Sequence, residues 1–188
     1  MAINSFYSEV ELKELGLKSC GKNVLISKKC SIYDAENISV GSNVRIDDFC
    51  ILSGKIEIGN YVHISPYCAL HGKAGIKIGD FCGISSRGTI YSVSDDFSGE
   101  FMISPMVPYE LTNVKKAKVT LNNYVQLGAN TVVLPGVVFG EGSVTGACTL
   151  ILKNTKEWTI NAGIPAREIS DRKKNIIELS KKIKDFQS

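Results

Sequence analysis

A chain of 188 residues, 44% hydrophobic and 22% charged, is sized for one globular domain with small appendages. A net charge of +3 without a concentrated basic patch argues against a nucleic-acid binder. No run approaches the ~20 apolar residues of a membrane span, and the start, "MAINSFYSEVELKELGLKSC", lacks the apolar core of a signal peptide, so the expectation is a cytoplasmic protein.

In chain order, residues 1–19 form an N-terminal helical segment. Its helix is expected over 8–17, where Ser8 and Glu11 have capping-box spacing and Gly16 supplies a stop. From residue 20 a repeat takes over. "ISVG", "IEIG" and "IKIG" begin at Ile38, Ile56 and Ile76. A finer series runs through Ile26, Ile32, Val40, Ile46, Leu52, Ile58, Ile64, Leu70, Ile78, Ile84 and Ile90, in steps of six broken by two slips of two residues. A second register, four residues on, reads Val44, Cys50, Ile56, Val62, Cys68, Cys82 and Gly88. Both registers resume from Leu121 and Val125.

A period of six fits neither a helix nor a simple strand. It describes a short extended segment, a corner and another segment, so three segments close one coil and successive coils stack around a shared core. Glycines after the inward aliphatic, as in "VGSN", "IGNY" and "IGDF", are expected to serve corners with unusual backbone angles. The six cysteines include no Cys-x-x-Cys pair. Cys30, Cys50, Cys68 and Cys82 fall on the repeat and read as small buried residues rather than zinc ligands or disulfides.

Residues 92–118 interrupt the repeat with a long acidic-then-basic loop that contains Asp95, Asp96, Glu100, Lys115, Lys116 and Lys118, and loops of this length are usually functional. The repeat ends near 168. The last segment, 169–188, reads as a helix with Ile176, Leu179, Ile183 and Phe186 on one face and lysines opposite.

These motifs resemble the hexapeptide-repeat acyltransferases over about residues 20–168. The resemblance implies an all-β fold: a left-handed parallel β-helix with a short N-terminal helix, the long inserted loop and a C-terminal helix. The layout is similar to nucleotide-linked amino-sugar N-acetyltransferases, those acting on dTDP-4-amino-4,6-dideoxyglucose among them. This implies acetyl-CoA as acyl donor, no metal, a homotrimer with active sites between subunits, and a role in surface-polysaccharide synthesis (O-antigen or capsule). The ending "NAGIPAREI" is similar to the "GNPAK" stretch that approaches coenzyme A in the family, which marks Gly163, Ile164, Pro165, Ala166 and Arg167. Arg167 is suited to a phosphate. "LGANTVV" and "VTGACTL" mark Gly128, Ala129, Gly146 and Ala147 as backbone contacts to the pantetheine arm, with simple corner residues as the alternative.

Acyl transfer to an amine or hydroxyl calls for a base, and neutral histidine fits that task near pH 7. The two candidates are His63 and His71. His71 follows inward Leu70 and opens the enlarged stretch "HGKAGIK", comparable with an "EHDC"-like stretch that carries the base in some relatives, though the following acid is missing. Other relatives, resembling the maltose and galactoside O-acetyltransferases, place the base in a loop "SHDY"; here "SDDF" puts Asp95 there. Asp95, with Asp96 and Glu100, is therefore expected to bind a cationic amine of the substrate. A mechanism without an essential protein base stays open. So do three other readings. One is an O-acetyltransferase acting on a sugar hydroxyl. Another is a γ-type carbonic anhydrase, for which two histidines are too few; the third is a scaffold, which would need neither the loop nor the "AGIPAREI" ending. A sugar-nucleotidyltransferase is disfavoured, since no nucleotide-binding domain precedes the repeat.

Overall fold

The computed structural model describes residues 5–183. The chain winds into a three-sided prism of parallel coils. One face is built from Val24–Ile26, Val44–Ile46, His63–Ile64, Gly83–Ile84, Gln126–Leu127, Val144–Thr145 and Thr159–Gly163, each paired with the next. The second holds Ser31–Tyr33, the first halves of Ile51–Ile58 and Ala69–Ile78, then Thr89–Tyr91, Val132–Val133 and Leu150–Ile151. The third holds Ser19–Cys20, Ile38–Val40, the second halves of the same two long strands, Val119–Leu121 and Val138–Phe139.

The inward registers form the core. Ile26, Ile46, Ile64 and Leu70 are fully buried, as are Leu121, Leu127 and Phe139 in the later coils. The four-residue offset register is buried too, from Val44 and Val62 to Val125 and Val137. Polar residues on the inward registers are satisfied inside: the Thr131 and Thr145 hydroxyls meet at 2.9 Å, and the Thr155 hydroxyl donates to Ser143 at 2.8 Å. Cys50, Cys68 and Cys82 are buried and Cys30 half-buried. Each thiol donates to a carbonyl of the following coil, at Ser65, Ser85, Asn122 and Asp47 respectively, 3.1–3.3 Å away.

The glycines of "VGSN", "IGNY" and "IGDF" have a different role from the one expected. Gly41, Gly59 and Gly79 have ordinary φ. What requires glycine is the neighbouring coil: a Cβ on Gly41 would lie 2.5 Å from the Gly59 carbonyl oxygen, and one on Gly59 would lie 2.8 Å from the Gly79 carbonyl carbon. The left-handed conformation falls two residues later, on Asn43, Tyr61 and Phe81, and at the equivalent Tyr124, where Asn122 stands in the glycine's place, with φ between 56° and 62°. Asparagine adopts this region at low cost, but an aromatic residue does not. Stacking supplies the compensation. Tyr61, Phe81 and Tyr124 form a ladder with ring centroids 4.8 and 5.2 Å apart, and Trp158 continues it at 6.0 Å. Gly142 lies under the Trp158 ring, where a Cβ would collide with it.

The prism is closed at both ends. Helix α1 (Glu9–Glu14) is shorter than 8–17 and begins with a complete capping box between Ser8 and Glu11; its Leu12 is buried. At the other end the expected helix over 169–188 is replaced in its first part by a strand, Ala166–Asp171, antiparallel to Thr159–Gly163. Helix α2 (Asn175–Lys181) follows. It is fixed by the Tyr124 and Ser180 hydroxyls, 2.8 Å apart, while Arg172 donates to the carbonyls of Tyr124 and Gly142 at 2.7 and 2.9 Å. Ile176, Ile177 and Ile183 are half-buried and Leu179 is exposed, so the packed stripe is not the one expected from the sequence; Phe186 lies outside the described residues.

Ile64 is fully buried, whereas Leu25, outward on the same face, is 39% exposed. Ile64→Ala is expected to cost ~2–5 kcal/mol and Leu25→Ala less than ~1 kcal/mol in urea unfolding followed by circular dichroism. Equal losses would contradict the inward register.

Candidate active site

The corner between the second and third faces differs from coil to coil. Gly54 pairs with Gly72 and Ile56 with Ile76, so Lys55 alone stands opposite Lys73, Ala74 and Gly75. This is the two-residue enlargement seen in the sequence. It is kept from collapsing by one residue of the next coil. Ser92 is fully buried; its hydroxyl accepts from the Ala74 N–H at 2.9 Å and donates to the His71 carbonyl at 2.8 Å. Its own N–H also donates to the His71 carbonyl, at 3.0 Å, and its carbonyl accepts from Ala117 at 3.0 Å. Ser92 thus ties the enlarged corner to both ends of the insertion that begins one residue later.

The insertion rises on a stem of Val93–Ser94 paired antiparallel with Lys115–Lys116. Its tip contains a 3-10 turn, Tyr109–Leu111. Between stem, tip and prism wall lies a cavity of about 840 Å³, lined by His71, Tyr91, Asp95, Phe97 and Leu134 among others. The His71 ring stacks on Tyr91, centroids 5.1 Å apart and planes 13° from parallel. Partial burial holds its imidazole pKa below the ordinary histidine value, because the charged form loses hydration. Neither ring nitrogen has a hydrogen-bond partner among the described residues.

Only part of the expected constellation meets here. Asp95 faces the cavity with His71. Asp96 instead accepts from Asn113 at 3.2 Å and from the Ser98 N–H and hydroxyl, which holds its carboxyl below the usual range. Glu100 is exposed and is not on the cavity wall. His63 sits on the first face, with its Nε2 2.7 Å from Asp47, whose other oxygen accepts from Arg45 Nε at 2.7 Å. The two histidines are therefore on different faces. Alternation puts both outward, but only His71 stands at an enlarged corner beneath the insertion.

The residues marked for coenzyme A split into two places. Gly128, Ala129, Gly146 and Ala147 lie at the corner between the first and second faces. The Gly128 N–H donates to Thr145, at 3.1 Å to the carbonyl and 2.9 Å to the hydroxyl, and the Gly146 N–H donates to Asn161 at 2.8 Å. Those two amides are committed to the coil. The Ala129 and Ala147 amides donate to no described residue and remain free for a ligand. A Cβ on Gly128 would lie 2.5 Å from the Gly146 carbonyl carbon, so Gly128 is also needed for coil stacking. Pro165 and Arg167 border a separate cavity of about 510 Å³ at the C-terminal end, with Lys153 and Lys156. Among the described residues no group of three His, Cys, Asp or Glu side chains is arranged to hold a metal ion.

No family model matches the chain. It is, however, 43% identical over 178 residues to a dTDP-4-amino-4,6-dideoxy-D-glucose acyltransferase of Escherichia coli, covering 93% of each protein. The chain belongs to the hexapeptide-repeat acyltransferases. Crystal structures of AntD, an N-acyltransferase from Bacillus cereus, share 49% identity with it. One, with dTDP-4-amino-4,6-dideoxyglucose and coenzyme A, superposes with a TM-score of 0.95 over 97% of this acyltransferase and 98% of AntD. Another, with dTDP and 3-hydroxybutyryl-CoA, gives 0.96 over 99% and 100%. The prism is accordingly a left-handed parallel β-helix. Several AntD structures carry substitutions at a serine or at an aspartate ten positions further on. This acyltransferase has that spacing in Ser85 with Asp95 and in Ser86 with Asp96. Neither serine was singled out from the sequence. Ser92 and Tyr91 were missed as well, because the loop boundary at 92 hid the fact that Ser92 still belongs to the corner.

Ser92→Ala removes both side-chain bonds and leaves the Ala74 amide unpaired. A loss of ~1–3 kcal/mol is expected in denaturant unfolding. An unchanged midpoint would show that the enlarged corner does not depend on this side chain.

Proposed function

We propose that this acyltransferase moves an acyl group from acyl-coenzyme A to the amine of a dTDP-linked 4-amino-4,6-dideoxy sugar, acetyl being the donor group inferred from the sequence. The observation that carries this reading is a histidine and a carboxylate on one cavity wall under the insertion, in a chain matching AntD over nearly its whole length. In the proposed chemistry Asp95 holds the amino group. His71 accepts the proton that the nitrogen sheds as it attacks the thioester carbonyl. The C–S bond breaks, the amide forms, and the departing thiolate of coenzyme A takes up the proton that His71 had accepted, which returns the imidazole to its starting state. The amides of Ala129 and Ala147 are the candidates for pantetheine contacts, with Pro165 and Arg167 further along the donor. His63 is the weaker candidate for the base, since its Nε2 is engaged by Asp47.

The same reading includes a homotrimer. It is supported by an outward column on the second face, Ile51, Ala69, Thr89, Val132 and Leu150, which carries no charge from coil to coil. The matching columns elsewhere hold Arg45 and His63 on the first face, Glu57 and Lys77 on the third. A face free of charge packs against another copy at the lowest desolvation cost. It would bring the corner with Ser85 of one subunit toward the His71 corner of the next. No described helix is long and apolar enough to cross a membrane; a cytoplasmic setting and a role in surface-polysaccharide synthesis belong to the proposal.

The reaction is tested by following coenzyme A release with the dTDP-linked amino sugar and with its hydroxyl counterpart. Turnover confined to the hydroxyl sugar would overturn the amine assignment. His71→Ala is expected to lower kcat by ~10²–10⁴-fold, and near-full activity would remove His71 from the mechanism. Because its pKa is lowered, the base stays unprotonated further into acid: the acidic limb of kcat/KM should fall below about pH 6.5. Val132→Glu should convert the trimer to monomer in light scattering; a species whose mass does not change would place the interface elsewhere.

A further inference from the structure

Beside the His71 cavity lies a smaller hollow of about 240 Å³. The two share Val93, Asp95, Pro105 and Val114, so Asp95 borders both. Their chemistry differs. The larger has neither lysine nor arginine on its described wall, while the smaller is bordered by Lys73 and Lys116, with Tyr109, Thr112 and Ser104.

The two lysines arrive from opposite sides. Lys73 is the only long side chain on the enlarged corner, where its neighbours are Gly72, Ala74 and Gly75. The enlargement therefore brings two functional groups to the site, His71 at its start and an ammonium two residues on. Lys116 comes from the returning strand of the stem, opposite Val93. Its ammonium lies 5.0 Å from the Tyr109 ring centroid and 3.3 Å from the Tyr109 hydroxyl, which fixes its direction. Neither lysine forms an ion pair with a described carboxylate, whereas nearby Lys118 is paired with Glu57 at 3.4 Å.

We infer that this hollow is a diphosphate subsite, with Lys73 and Lys116 as its two cations. Uncompensated ammonium groups beside the Tyr109 and Ser104 hydroxyls, which accept from Lys116 and the Met106 N–H and keep their own protons to donate, suit phosphate oxygens. In a nucleotide-linked amino sugar the diphosphate and the amine are separated by one sugar ring. The same order is laid out here, with cations in the hollow and the Asp95 carboxylate at its boundary with the His71 cavity. The assignment of the diphosphate to the sugar nucleotide rests on the proposed function; coenzyme A is the other source of the same group.

The test is calorimetric titration of dTDP and, separately, of coenzyme A into wild type, Lys73→Met, Lys116→Met and the double variant. Lys73→Arg with Lys116→Arg serves as the charge-conserving counterpart, and Lys118→Met as a neighbouring control. Each single change is expected to weaken dTDP binding about tenfold, and the double variant about a hundredfold. The arginine pair should recover most of the affinity, and coenzyme A binding and the Lys118→Met protein should stay within about twofold of wild type. Unchanged affinity for both ligands overturns the subsite, and a loss confined to coenzyme A overturns its assignment to the sugar nucleotide. Since dTDP binding is read without turnover, a protein that binds dTDP through these lysines yet acylates no amino sugar refutes the proposed reaction and leaves the subsite standing.

Discussion

The hydrogen bonds that join one coil to the next impose the constraint on which the molecule depends. Arg45 donates to the Val62 carbonyl, His63 to Cys82 and Gly83 to Val125, at 2.9–3.1 Å, and the same pattern climbs every face. Backbones held a single rung apart leave no room for a Cβ where they come closest, which is why Gly41, Gly59 and Gly128 cannot carry side chains. The chain must also turn sharply at the corners of each coil, and at two of the three, residues such as Tyr61, Phe81 and Tyr67 take a left-handed conformation that side chains normally avoid. Stacking those rings coil upon coil offsets part of that cost. The ladders are thus a consequence of rung spacing.

The candidate site lies where the rung pattern is locally relaxed. On the Ala69–Ile78 strand two extra residues widen a corner, and one coil later the same corner opens into the insertion. A widened corner cannot bond rung to rung through its whole length, so a side chain must take over. Ser92 does so with one hydroxyl, occupying an amide and a carbonyl that the next coil would otherwise have satisfied. The price of the departure from regularity is a buried serine, and what it makes possible is a cavity wall carrying His71 under a lid of Phe97 and Pro105.

Much of this was legible in the sequence, and the reason is physical. Inward positions every six residues are apolar in nearly every coil, so Ile46, Ile64, Ile84 and Leu127 announce themselves by repetition. The slip at "HGKAGIK" was visible for the same reason, as a failure of repetition. What repetition cannot show is which outward groups meet. Asp95 and Asp96 are adjacent in sequence, yet one borders the cavity and the other is absorbed by Ser98 and Asn113 inside the loop. Equally, the glycine after each inward aliphatic was easy to find and its reason easy to mistake, because crowding by a residue 18 to 20 positions away leaves no local mark. The C-terminal segment misled in another way: its spacing fits a helix, but residues 166–171 pair with the last strand of the prism before the helix begins.

The single tryptophan of this chain stands at the end of the aromatic ladder, against Tyr124 and beneath Lys174. A stack of coils in which each contacts only its neighbours can lose its ends before its middle. Indole emission would therefore register the fraying of the last coil and the release of α2, and be blind to the coils that carry His71. Read by fluorescence alone, the enzyme would seem to melt while the wall that carries His71 was still intact.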